Sequence, residues 1–256
     1  MKRYKGYLID LDGTMYQGTD PIEGAADFVD ALHDDGIPYL FLTNNSSKTQ
    51  EDVSDKLNAM GIRSTPDNVV TTSLATATYI KQKKANARVY VIGEEGIHQA
   101  LQEQGLTITE EDCDFVVVGI DRHVTYEKFA KACLAIRNGA TFISTNSDVS
   151  IPTERGLLPG NGALTSVITV STGRTPIFIG KPEAVIMEQA LQILNLPRRD
   201  TLMVGDNYHT DILAGIHAGI DTLMVFTGVT PYEELPHLEK KPTYHVQRLM
   251  EWTENI

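Results

Sequence analysis

Short, unbroken apolar runs alternate along this chain with stretches whose apolar residues return every three or four positions. YLIDL (7–11), YLFLT (39–43), TLMVG (201–205) and DTLMVF (221–226) show the first pattern and read as strands. The second pattern predicts a helix from Gly24 to Asp35, stopped by Gly36, and another over TQEDVSDKLNAMG (49–61). In the latter, Val53, Leu57 and Met60 fall at i, i+4 and i+7, and Gly61 ends the run. AVIMEQALQIL (184–194) and DILAGIHAG (211–219) are helical by the same test. Continuous apolar strands between amphipathic helices predict an α/β fold, a doubly wound parallel sheet covered on both faces. Ligands of such sheets bind at the carboxyl ends of the strands.

The middle of the chain repeats the alternation on its own. VYVIG (89–93), a helix over GIHQALQEQG, DFVVVGI (114–120), a helix over YEKFAKACLAIRNG and TFIST (141–145) follow in turn. The pattern predicts an inserted α/β domain at 78–178, with 1–77 and 179–256 forming the core. There is no fixed-period repeat and no low-complexity segment.

Composition narrows the partners. The 256 residues are 41% hydrophobic, enough for a packed core, and carry a formal charge of −12. A phosphate-backbone binder needs a basic face, so nucleic acid is not an expected partner. Cys113 and Cys133 fit no metal spacing and no disulfide framework, which suits reduced thiols in a cytoplasmic protein. Asp10 and Asp12 cut short the apolar stretch near the N-terminus, against a signal peptide. No run approaches the ~18 apolar residues of a membrane span. A soluble cytoplasmic protein is expected.

Four polar clusters stand where apolar runs end. Asp10 and Asp12 follow the first strand, and Thr43, Asn44 and Asn45 close the second. Lys181 follows PIFIG (176–180), while Asp206 closes TLMVG with Asp211 five residues on. If all four runs are neighbours in one parallel sheet, the clusters converge on one edge. That inventory suits phosphoryl transfer. Carboxylate oxygens such as those of Asp10 and Asp206 suit Mg²⁺, Lys181 offsets phosphate charge, and Thr43 with nearby N–H groups binds phosphate oxygens. One carboxylate of the Asp10/Asp12 pair can attack phosphorus while the other handles protons. PGNGAL lacks the G-x-G-x-x-G spacing, and Pro182 stands where a P-loop needs Ser or Thr, so neither nucleotide motif is present.

DLDGT (10–14), LTNN (42–45), the lysine of GKP and GDNYHTDI (205–212) together resemble the four motifs of the haloacid dehalogenase-like phosphatases. Their order and spacing agree, with a large insert between the second and third. That insert, and TNSDVSIPTERGLLPGNGAL (145–164), resemble the branch holding the NagD-type and p-nitrophenylphosphatase-type enzymes. The resemblance implies that Asp10 is the nucleophile and Asp12 the general acid/base. Thr43, Asn44 and Asn45 would bind the phosphoryl group, and Lys181 would bridge it to the nucleophile. Mg²⁺ would be held by the Asp10 side chain, the Asp12 backbone carbonyl and Asp206. Asn207 and Asp211 would stand behind the ligands, Asp211 orienting Lys181 or a metal-bound water, or capping a helix. The insert would be a cap over the site, whose exposed strands could pair into a homodimer. Asn146 and Asp148, in an echo of the second motif, would line the substrate entrance or cap a loop. The implied activity is hydrolysis of a small phosphorylated metabolite: a sugar phosphate, a nucleoside monophosphate or a small organic acid phosphate. A phosphomutase or dehalogenase on the same core, or a non-catalytic phosphometabolite-binding protein, are the alternatives.

Overall fold

Every residue of Gly6–Asp10, Tyr39–Thr43 and Thr201–Gly205 is buried. Strands covered on both faces have no polar side to alternate with, which is why these runs read as continuous apolar sequence. In the computed structural model, which describes residues 2–153 and 155–256, they form the middle of a six-stranded sheet. Glu154, inside the 145–164 segment, lies outside the described residues, as does Met1. The strand order is Tyr244–Val246, Asp221–Val225, Thr201–Gly205, Gly6–Asp10, Tyr39–Thr43, Val69–Thr71. The pairings from Tyr244–Val246 through Tyr39–Thr43 are all parallel. The chain starts in the centre and winds outward both ways, the doubly wound pattern.

Helix Ala25–Asp34 buries Phe28, Val29 and Leu32 and ends before Gly36, whose φ of 65° suits glycine. Helix Gln50–Ala59 buries Val53 and Leu57, and Ala184–Leu194 buries Ile186, Met187, Ala190 and Leu194. Tyr7, Ile9, Phe28, Phe41, Leu57, Val204 and Trp252 share one core. Each such side chain contributes about 1.5–3 kcal/mol by leaving water.

By contact, one unit comprises Met1–Thr43, Glu51–Val70 and Lys181–Ile256, and a second comprises Asn44–Gln50 and Thr71–Gly180. The alternation of elements had set the insert at 78–178. Short polar bonds within the second unit explain its wider reach. Ser46 Oγ accepts from Ile120 N at 3.1 Å, Ser73 Oγ donates to Ser46 O at 2.9 Å, and Gly96 N donates to Ser47 O at 3.1 Å. The unit's own five-stranded sheet runs Ile177–Phe178, Thr141–Ser144, Phe115–Val118, Arg88–Ile92, Thr107–Ile108, all parallel. Thr71 and Thr125 cap helices Thr72–Lys83 and Tyr126–Arg137 by accepting from Leu74 N and Lys128 N.

The four apolar runs are not all neighbours in one sheet. PIFIG does not extend the core sheet. Only Ile177 and Phe178 pair, and they pair with Ile143 and Ser144 of the second unit's sheet. A short apolar run does not encode which sheet it joins, because pairing is long-range.

Candidate active site

The parallel register aligns the strand ends. Asp10 sits opposite Leu42, and Ile9 opposite Val204, so Thr43 and Asp206 emerge just beyond Asp10 on its two flanking strands. A tight turn then folds the chain back. Leu11 O accepts from Thr14 N, Met15 N and Tyr16 N, Gly13 N donates to Tyr16 O at 2.8 Å, and Gly13 takes φ 91°. The turn carries the Thr14 hydroxyl to 3.3 Å from Asp10 Oδ2 and 3.1 Å from Asp206 Oδ1. Its single proton serves one carboxylate at a time, so Thr14 links the two acids.

Lys181 is 2% exposed, and its Nζ lies 2.5 Å from Asp10 Oδ1, 2.8 Å from Asp211 Oδ1 and 3.1 Å from Leu42 O. Burial alone would depress this ammonium, but Asp10 and Asp211 push it up, so it stays charged. Oxygens of Asp10, Asp206 and Asp211 lie within 4.8 Å of one another, and all three residues are buried. One buried cation therefore faces three carboxyls. The Asp10 carboxyl is raised well above its ordinary value by burial and Asp211, with Asp206 adding to it and Lys181 opposing. Asp206 is pushed up to about 6, by burial first and Asp211 second.

Asp206 is also gripped from a segment to which sequence reasoning assigned no role. Val229 N donates to its Oδ2 at 2.6 Å, and Thr227 Oγ1 donates to Gly13 O at 2.6 Å. A Cβ at Gly13 or Gly228 would collide with the Asp206 carboxylate, so glycine is required at both. On the next turn, Asn207 caps Tyr208–Ile212 by accepting from His209 N, and Asp211 Oδ2 accepts from Asn207 N at 3.1 Å. The N-cap is thus Asn207, which corrects the capping alternative for Asp211. Asp211 lies inside the turn and holds Lys181.

Asp12 is placed differently. Its side chain reaches solvent, Tyr16 OH donates to its Oδ2 at 3.3 Å, and the Lys56 ammonium lies 3.6 Å from the Tyr16 ring centroid. Partial desolvation raises the Asp12 carboxyl even so, against Lys56 and the tyrosine bond.

Thr43 is buried at the end of its strand. The remaining predicted residues belong to the second unit. Asn45 Oδ1 accepts from Ser47 N, Ser47 Oγ and Lys48 N, a local turn. Asn44 Nδ2 donates to Asp148 Oδ2 at 3.2 Å, and Asn146 Nδ2 donates to Asn44 O at 2.7 Å. Asn161 Nδ2 in turn donates to Asn146 O at 3.0 Å. Asn146 and Asp148 thus hold the Asn44 segment from both its side chain and its backbone.

Three clustered carboxylates with one lysine leave an excess of buried negative charge made of hard oxygen donors. That donor set fits a divalent cation such as Mg²⁺. Among the described residues, no helix is long and apolar enough to cross a membrane.

A family model described as haloacid dehalogenase-like hydrolase matches residues 7–107, and one described as HAD-hydrolase-like matches 178–252. The chain is 64% identical over 252 residues to the 5'-nucleotidase YutF of Bacillus subtilis, covering 98% of each chain. It is 59% identical over 250 residues to an acid sugar phosphatase of Staphylococcus haemolyticus, covering 97% of this chain and 95% of that one. Among solved structures, a p-nitrophenyl phosphatase from Archaeoglobus fulgidus is 34% identical, superposes with a TM-score of 0.95 and is covered in full.

Proposed function

The chain belongs to the haloacid dehalogenase-like hydrolases and is a phosphatase, and on that premise we propose that it is a Mg²⁺-dependent phosphomonoesterase working through an aspartyl-phosphate on Asp10. The observation that carries this reading is the Lys181 ammonium bridging Asp10 and Asp211 beside Asp206. Members of this family generally use a divalent metal, and Asp10, Asp206 and the Asp12 carbonyl would hold it. When bound, the cation supplies positive charge against the phosphate oxygens and the charge developing in the transition state. Lys181 fixes the Asp10 carboxylate and opposes the burial and the Asp211 charge that favour its protonation, and the ionised form attacks phosphorus. Thr43, at the end of its strand, donates to a phosphoryl oxygen. As the P–O ester bond breaks, Asp12 gives its proton to the leaving oxygen. It then takes one from the water that hydrolyses the phosphoenzyme.

The substrate is a small phosphate monoester: a sugar phosphate, a nucleoside monophosphate or a small organic acid phosphate. The similar proteins are named for a nucleotide, a sugar phosphate and an aryl phosphate, so the reaction is shared while the alcohol varies. Turnover of p-nitrophenyl phosphate, abolished by EDTA and restored by Mg²⁺, tests the reading. A phosphomutase, a dehalogenase or a binding protein would release no stoichiometric inorganic phosphate. Full activity in metal-free buffer would end the metal-dependent mechanism.

A further inference from the structure

Asp12 must carry a proton in one half of the reaction and collect one in the other, yet it sits on a turn with its side chain open to solvent. A carboxylate so placed rotates freely unless something holds it. Tyr16 is the group in position. It is 5% exposed, anchored through its carbonyl to Gly13 N at 2.8 Å, and its backbone bridges Asp12. Its hydroxyl donates to Asp12 Oδ2 at 3.3 Å, a long O–H···O bond and weak on its own. The Lys56 ammonium, 3.6 Å from the ring centroid, adds a cation–π contact that keeps the ring from swinging away. Lys56 comes from helix Gln50–Ala59, so an element remote in sequence fixes the ring.

We propose that Tyr16 is a positioning residue for proton transfer: it holds Asp12 through Oδ2, leaving Oδ1 to give the proton to the leaving-group oxygen, with Lys56 locking the tyrosine ring. In the first half the Oδ1–H bond breaks and an O–H bond forms on the departing alcohol as phosphorus passes to Asp10. In the second, Oδ1 takes a proton from water as the water oxygen bonds phosphorus and inorganic phosphate leaves.

The inference rests on the phosphatase reading, and one experiment separates them. Steady-state kcat/KM is measured for p-nitrophenyl, phenyl and ethyl phosphate with wild type, Tyr16→Phe, Lys56→Met, Asp12→Asn and the Tyr16→Phe/Asp12→Asn double variant. Tyr16→Phe should lower kcat/KM for ethyl phosphate about tenfold or more and for p-nitrophenyl phosphate much less, because a good leaving group needs little protonation. Lys56→Met should show the same ordering at smaller size, and it keeps the test alive if Tyr16→Phe folds poorly. In the Asp12→Asn background Tyr16→Phe should cost almost nothing further, since its action runs through that carboxylate. Equal loss on all three esters, no loss, or full additivity with Asp12→Asn overturns the inference. A wild-type protein inert on every ester would instead sink the phosphatase reading.

Discussion

Asp10 and Asp12 are the same side chain one residue apart, and the fold gives them opposite surroundings. Asp10 is buried between Lys181 and Thr14, whereas Asp12 turns to solvent and meets Tyr16. Each variant therefore predicts its own kinetics. Asp10→Asn leaves no phosphoenzyme to form, so every ester should stall. Asp12→Asn keeps the nucleophile and loses the proton carrier, a loss of roughly 10²–10⁴-fold on an alkyl ester. With p-nitrophenyl phosphate it should give a rapid burst of p-nitrophenolate followed by slow turnover, because the phosphoenzyme forms but hydrolyses slowly. Stopped-flow absorbance reads this directly, and a burst in the Asp10 variant would reverse the two roles. At this scale the acids were legible in the sequence because two carboxylates ending a buried strand are hard to explain otherwise. Lys181 was one lysine among many until the motif order singled it out. Val229 and Gly228 were not legible as partners of Asp206, since a backbone N–H and a missing Cβ leave no chemical signature in the sequence.

At the scale of elements, the site is a consequence of strand register and of two close-packed loops. The central strands could be read because burial on both faces leaves an unbroken apolar run, and the helices because burial on one face leaves a 3.6-residue period. PIFIG carried the same signal and joined the other sheet, while the tether of Asn44–Gln50 to Thr72, Ser73 and Ile120 runs through hydroxyls and carbonyls with no period at all. The segment Thr227–Gly228–Val229 shows how tightly the loops meet. A Cβ at Gly228 would strike the Asp206 carboxylate and the Gly13 Cα. Gly228→Ala should therefore displace Asp206, raise the Mg²⁺ concentration for half-maximal activity several-fold and cost about 1–3 kcal/mol in denaturant unfolding. Gly18→Ala is the control. Gly18 has a positive φ of 63° but nothing near its missing Cβ, so it should lose modest stability and keep the wild-type Mg²⁺ requirement. An unchanged requirement in Gly228→Ala would mean that the loop does not set the position of Asp206.

For the whole molecule, the acidic cluster ties folding, protonation and metal to one another. The Asp206 carboxyl stands at about 6 in the folded protein against an ordinary 3.8, and Asp10 is raised in the same direction. Between those values the folded chain keeps protons that the unfolded chain has released. The resulting stabilisation is full below the unfolded value and is lost as pH rises through about 6, on the order of 3 kcal/mol for Asp206 alone. Metal-free protein is thus burdened at neutral pH by carboxylates that repel one another in a buried site, and a divalent cation relieves that burden only where they are ionised. Cation binding must also release the protons that remain. The rise in melting temperature on replacing EDTA with Mg²⁺ should be small near about pH 5 and grow steadily toward about pH 7.5. Asp206→Asn, which cannot ionise, should flatten most of that dependence. Calorimetry in two buffers of different ionisation enthalpy should find more protons released per cation near about pH 5.5 than near about pH 8. A Mg²⁺-induced shift of the same size at every pH would show that the cation is not bound by the Asp10 and Asp206 carboxylates, whatever the activity of the loaded enzyme.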